Sequence, residues 1–237
     1  MSGAAARAGL PFGTAHIPRP MSSSSSAGRL GGAALAACLG VVPALASAQD
    51  VEHRGLMGRV AVGVGYVGST ASDSSSSMTV AGVSPGFHLA VGAYAIPNLA
   101  VHATFWGGAA INPSVAYTSA LGSGSAATSG ASVFAWGLGG GLTYVVAPLN
   151  LYFTGSLGVG LLSASSIRAG ITTTASASAG FAFILGLGKQ WAVGRTWGFG
   201  ISAQVGWQSN ADDHNGTTPG LAWSTPQGAL LFSVTYH

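Results

Sequence analysis

The chain has 237 residues, of which 48% are hydrophobic, 38 are glycine and only 5% are charged, against about a quarter charged in ordinary soluble domains. So few charges do not cover a water-soluble exterior of this size, which argues against an intracellular enzyme or a nucleic-acid binder. High hydrophobicity with little net charge argues against disorder.

In chain order, residues 21–48 read as a cleavable secretory signal. Arg29 supplies its positive end, residues 30–45 its apolar stretch, and Ala46-Ser47-Ala48 a small-residue cleavage site before Gln49. Residues 1–20 precede this complete signal, with Met21 an alternative start to Met1, and are taken as an over-extended, disordered N-terminus outside the fold. Two rivals carry less weight. Leu35-Ala36-Ala37-Cys38 resembles a lipoprotein box, but only about five apolar residues separate it from Arg29. An uncleaved anchor over residues 30–48 is opposed by Pro43 and the small-residue exit.

Cleavage leaves Arg54, Arg59, Arg168, Lys189 and Arg195 balanced by Asp50, Glu52, Asp73, Asp212 and Asp213. The mature chain, residues 49–237, is therefore neutral and lacks the basic footprint that nucleic-acid binding needs. The single cysteine, Cys38, leaves with the leader, so neither a disulfide framework nor a thiolate metal site is expected.

No stretch after Ala48 is long, apolar and glycine-poor enough for a transmembrane helix. What recurs is period two. Val60, Val62, Val64 and Tyr66 alternate with Arg59, Ala61, Gly63 and Gly65; Phe87, Leu89, Val91 and Ala93 alternate with Gly86, His88, Ala90, Gly92 and Tyr94. Leu99, Val101, Ala103 and Phe105 follow, then Phe134, Trp136, Leu138, Leu142 and Tyr144 against Gly137, Gly139, Gly141 and Thr143. Four more strands carry Leu151 to Leu161, Phe181 to Leu187, Trp197 to Trp207, and Leu230 to Tyr236 on their apolar faces. Each has one apolar face, and no helical periods intervene.

Connections alternate in length. Turns at residues 96–98, 147–148 and 190–195 are tight, whereas residues 68–77, 107–130, 162–172 and 208–224 form longer, polar segments, with Ser74 and Asn210 expected on the surface. Short turns at one end and long loops at the other are the transmembrane-barrel pattern. From Trp197 to Trp207, at roughly 3.3 Å per residue and a tilt of about 40°, the rise is about 25 Å, the height of the apolar band of such a barrel. Aromatic girdles are expected from Tyr94, Tyr144, Trp191 and Trp197 at the turn end, and from Tyr66, Trp106, Trp136, Trp207 and Trp223 at the loop end. A soluble up-and-down barrel would carry charges outward, whereas here the second face is Gly, Ala, Ser and Thr with Arg59 almost its only charge.

The segments Gly92-Ala93-Tyr94-Ala95-Ile96-Pro97-Asn98-Leu99-Ala100, Gly186-Leu187-Gly188-Lys189-Gln190-Trp191 and Trp197-Gly198-Phe199-Gly200, with the alternation ending in Tyr236, resemble the small eight-stranded bacterial outer-membrane β-barrel family. The resemblance implies an all-β fold over residues 49–237: an eight-stranded antiparallel transmembrane up-and-down barrel in the Gram-negative outer membrane. It also implies insertion by the outer-membrane assembly machinery, which reads a terminal strand ending in an aromatic residue; here Tyr236 stands one place before His237.

The motifs that carry chemistry elsewhere are weak here. Gly63-x-Gly65-x-x-Gly68 matches a dinucleotide fingerprint only on paper, because no helix follows. Asp212-Asp213-His214 is the only acid/base cluster and lacks a positioned partner, Asp73 being all that loop 1 offers. A surface protease or lipid hydrolase could place its base in such a loop, but the cluster reads rather as a hydrated loop bridging cations to lipopolysaccharide, and Asn215-Gly216-Thr217 as an idle sequon. His88 and His102 face inward on neighbouring strands, as cross-strand neighbours with Asn150, Tyr152 and Gln204 as hydrogen-bond partners, and fall short of a metal site. Arg54, Arg59, Lys189 and Arg195 near the turn end read as headgroup anchors.

The expectation is a monomeric, non-enzymatic cell-envelope protein with no catalytic, cofactor or metal residues, a structural or surface-interaction role, and outer-membrane lipid and lipopolysaccharide as its surroundings. The alternative is a narrow, porin-like channel for small or hydrophobic solutes, motivated by inner-face glycines that would leave the lumen part empty. Whether Trp106, Tyr152 and Ile184 meet across the lumen decides between them.

Overall fold

The structure is a computed structural model and describes residues 55–72, 76–168, 171–211 and 222–237. The expected leader, Arg54, the Asp73 loop and the cluster from Asp212 to Thr217 lie outside the described residues.

Eleven strands run through the described residues. Eight are long: β1 (Leu56–Ser72), β2 (Ser76–Ile96), β3 (Leu99–Ile111), β6 (Ala131–Val146), β7 (Leu151–Arg168), β9 (Gly180–Val193), β10 (Trp197–Ala211) and β11 (Ala222–Tyr236). Each pairs antiparallel with its neighbour in this sequence, and β1 also pairs with β11, from Gly58 opposite Tyr236 to Ser72 opposite Ala222. The ring is closed, so none of its eight strands is left as a free edge strand. Three short strands lie beyond it: β4 (Ser114–Ser119), β5 (Gly122–Ala127) and β8 (Ile171–Ser176).

At one end the connections are tight and use left-handed backbone. Asn98 (φ 65°) turns β2 into β3, Asn150 (φ 51°) closes the 3-10 turn Ala147–Leu149 between β6 and β7, and Gly194 (φ 74°) lies between β9 and β10. Asparagine and glycine tolerate this conformation.

The other end departs from expectation. Much of the four expected loops continues as strand: β1 runs on to Ser72, β2 begins at Ser76, β4 and β5 form a hairpin whose β4 pairs with residues 76–81 of β2, and β8 pairs antiparallel with residues 163–168 of β7. Apolar alternation stops where a strand leaves an apolar surrounding, not where it stops being a strand, so period two under-reports strand length.

Alternation itself is as expected. In β10 every odd-numbered residue from Trp197 to Val205 is exposed and every even-numbered one from Gly198 to Gly206 is buried. Val60, Val91, Leu157, Leu185 and Phe232 are among the exposed apolar residues of the outer face, at 55%, 70%, 61%, 54% and 68%. Three expected girdle residues point inward instead. Trp106 is fully buried, Tyr94 packs against Met57, Ala90 and Ala100, and Trp223 packs on a cluster of Val67, Ala110, Val133, Ala135 and Leu162 at the loop end.

Candidate functional site

Among the described residues, the lumen is where the fold brings buried polar side chains together in quantity, and large side chains cross it. Arg59 on β1 lays its guanidinium carbon 3.9 Å from the ring centroid of Tyr152 on β7, on opposite sides of the ring. Trp106 on β3 packs against Ala182 and Ile184 on β9, also across the interior. Trp106 and Ile184 thus meet across the lumen, whereas Tyr152 meets Arg59 and neither of those two.

Several inner-face glycines are sockets for inward side chains, not empty space. A Cβ at Gly137 would stand 2.5 Å from the Trp106 indole; one at Gly188 would collide with the Tyr152 ring, and one at Gly141 with Ser156 and His102. Glycine lets a large side chain from a neighbouring strand lie flat against the wall. The expectation of a part-empty lumen is corrected on this point.

Two hydrogen-bonded chains hold the histidines. Gln204 Nε2 donates to His88 Nδ1 at 3.3 Å, which leaves His88 Nε2–H to donate to Thr104 Oγ1 at 2.8 Å, and Thr104 donates to the Leu89 carbonyl at 3.1 Å. Thr143 donates to Thr154 Oγ1 at 3.0 Å, so His102 Nε2–H donates to Thr143 Oγ1 at 3.0 Å. The tautomers follow from this network. His88 stands opposite Trp106 and His102 opposite Gly92, so the two histidines are not the direct cross-strand pair expected. Of their expected partners only Gln204 takes that role. Asn150 sits in the turn, where its carbonyl accepts from Gln190 N at 2.8 Å, and Tyr152 is covered by Arg59. Sequence reasoning passed over Thr104, Thr143 and Thr154, although their inward period-two positions on strands beside the histidines were legible.

Arg59 is only 2% exposed, so it is no headgroup anchor, whereas Lys189 and Arg195 are exposed. Its Nε donates to Thr235 Oγ1 at 3.3 Å, while Nη1 and Nη2 have no hydrogen-bond partner. Among the described residues there is no Asp or Glu to pair with it. No cluster of three metal-ligating side chains occurs among the described residues either. Gly63, Gly65 and Gly68 lie inside β1, where no helix N-terminus meets them.

One part of the wall lacks a backbone ladder. Residues 82–85 of β2 pair with β1, but on their other side β3 begins pairing only at Gly86 and β4 stops at Ala81. Pro85 has no N–H to offer there. Small side chains close this seam: a Cβ at Gly82 would stand 3.4 Å from Ala110 Cβ, and Gly108 abuts Ser84. Behind it lies a cavity of about 20 Å³, lined by Ser84, Gly86, Trp106, Ile184, Gln204 and Gln227. That is room for about one water molecule.

Set beside solved structures, this barrel is similar to the outer membrane protein OprG from Pseudomonas aeruginosa, with 12% identity over 78% of this chain and 98% of that one and a TM-score of 0.45. It is similar also to the outer membrane protein AlkL in lipid bilayers (16% identity, 83% and 94% covered, TM-score 0.40) and to Ail, the attachment invasion locus protein of Yersinia pestis (13% identity, 74% and 98% covered, TM-score 0.39). The likeness is one of architecture. No protein-family model matches the chain, and no curated protein matches it.

Proposed function

We propose that this chain spans the outer membrane of a Gram-negative envelope as a sealed barrel and acts, without enzymatic activity, through what it displays at its loop end. The observation that carries this is the pair of contacts across the lumen, Arg59 on Tyr152 and Trp106 on Ile184, which stand in the way of a continuous bore. Membrane placement is supported by the outer face, whose exposed Val, Leu, Ile and Phe side chains would be costly in water at about 25 cal/mol per Å². Closure leaves no free edge strand, as a bilayer demands, the short seam at residues 82–85 being covered by small side chains. Lys189 and Arg195 near the turn end suit phospholipid headgroups. Outer-membrane lipid, lipopolysaccharide and the assembly machinery are its surroundings in this reading, and the barrel itself needs no second copy to close.

A second reading, passage of small apolar solutes, is favoured by the seam beside Pro85 and the small cavity behind it. In that case the route would lead sideways into lipid and not through the barrel.

The test is single-channel recording on the mature chain in a planar bilayer, after heat-modifiable gel mobility shows a folded barrel. A folded, electrically silent barrel is expected. Discrete conductance steps would overturn the sealed-lumen reading. Accelerated entry of an apolar solute into vesicles holding the silent barrel would move the lateral route ahead.

A further inference from the structure

Among the described residues, the hairpin of β4 and β5 leaves a backbone edge uncovered. Strand β4 is sandwiched between β2 and β5, but β5 pairs with β4 alone among the described residues. A two-residue turn, Ala120-Leu121, joins them, so Ser119 and Gly122 form the bonded pair next to it. Alternation along an antiparallel ladder then turns the N–H and C=O groups of Gly122, Gly124 and Ala126 toward β4, and those of Ser123, Ser125 and Ala127 outward. Both faces of the hairpin are largely exposed.

Natural sheets guard such an edge with lysine, proline, a bulge or a covering element. None of these side chains guards Gly122-Ser123-Gly124-Ser125-Ala126-Ala127, and no Asp, Glu, Lys or Arg occurs between Asp73 and Arg168. An uncharged edge offers no Coulombic attraction to phosphorylated lipid or to an acidic or basic partner. What it offers is a regular row of main-chain donors and acceptors, the complement of another strand.

We propose that the β5 edge pairs with the β5 edge of a second copy of this chain, antiparallel about a two-fold axis through Ser125. That register sets Ser125 opposite its own copy and Ser123 opposite Ala127 twice over. Every outward N–H and C=O of Ser123, Ser125 and Ala127 is matched, and only Gly, Ser and Ala side chains meet on either face. Identical edges satisfy each other in a closed contact of this kind, which ends the sheet and does not extend it. The two-fold stands normal to the sheet and therefore inverts the second barrel. Two copies in one bilayer cannot pair this way, whereas copies in two facing bilayers can. A single contact of three residue pairs is weak, and many copies on facing surfaces make it strong by avidity. The proposal rests on the membrane placement above and names the partner of the displayed end.

The test uses the full mature chain in zwitterionic phosphatidylcholine vesicles, with insertion confirmed by heat-modifiable mobility and outward loops counted by protease cleavage. Wild-type vesicles are expected to cluster in proportion to outward loop density, read by light scattering. Ser125→Lys alone and Ser125→Glu alone place like charges on the axis, and clustering should fall about tenfold or more. Mixing the two populations should restore it, while mixing Thr118→Lys with Thr118→Glu vesicles, charged inside the sheet at β4, should cluster no more than wild type. Inserted wild-type barrels that do not cluster, single-charge variants that cluster like wild type, or a Ser125 mixture that stays dispersed would each overturn the pairing. Failure to insert would instead overturn the membrane placement, so the two are told apart.

Discussion

Arg59 and Tyr152 touch across the full width of the barrel, guanidinium over ring at 3.9 Å, from strands four places apart in an eight-membered ring. The pair is the central bolt of the lumen, and the two partners should fail differently. Tyr152→Ala removes a fully buried ring and strips the cover from a buried cation, and should cost about 3–5 kcal/mol. Arg59→Met keeps the volume and removes a charge that no described carboxylate balances, so stability should hold or rise, as when buried ions give way to apolar residues of similar size. Urea unfolding in lipid vesicles, followed by gel mobility, reads both. Equal losses in the two variants would show that the charge is better compensated than these contacts indicate.

Gly137 and Trp106 form the second bolt. A methyl at Gly137 would sit 2.5 Å from the indole, so Gly137→Ala should destabilise by about 1–3 kcal/mol through overpacking. Trp106→Leu in the same background should return part of that loss, because the smaller side chain vacates the socket. A double-mutant cycle measures the coupling; additive losses would mean that the indole moves aside without cost.

What the sequence revealed and what it hid divide along the wall of the barrel. Trp197, Phe199, Ile201, Ala203 and Val205 announce an exposed face because contact with lipid imposes period two, and the structure keeps every one outward. Trp106, Tyr94 and Trp223 look like girdle residues by type and level, yet point inward; an aromatic ring suits a tight lumen as well as a bilayer interface. The hairpin of β4 and β5 was hidden for the opposite reason. Ser, Gly and Ala in water carry no alternation, and only the ladder to β2 shows that they are strand. Among lumen residues, the polar partners on strands beside His88 and His102 were legible, but which hydroxyl meets which ring depends on register.

The seam makes a covalent prediction. Gly82 and Ala110 face each other across it with a Cβ spacing of 3.4 Å for an added methyl at Gly82, close to the 3.5–4.5 Å typical of disulfides. Gly82→Cys with Ala110→Cys should therefore oxidise spontaneously in the mature chain, which has no other cysteine if the leader is removed at Ala48. The bridge should appear as a mobility difference with and without reductant on unfolded samples. Two thiols that stay free and react with a small alkylating reagent would show a seam standing wider than the packed arrangement.

Accessibility separates the hairpin tip from the loop-end lumen. Leu121 is fully exposed at the turn between β4 and β5, whereas Asn210, placed outside by the loop expectation, is only 3% exposed. Its amide donates to the carbonyls of Gly160 at 2.8 Å and Ser178 at 2.9 Å, tying β10 to β7 and to the segment after β8. Leu121→Cys should thus be labelled on intact cells by an impermeant thiol reagent within the time that labels any free surface thiol. Asn210→Cys should stay protected until the barrel is unfolded, and it should also lower stability by about 1–3 kcal/mol because two buried carbonyls lose their donor. Labelling at Asn210→Cys on a barrel that still shows native gel mobility would place β10 beyond Gln208 in solvent and detach the β8 segment from it.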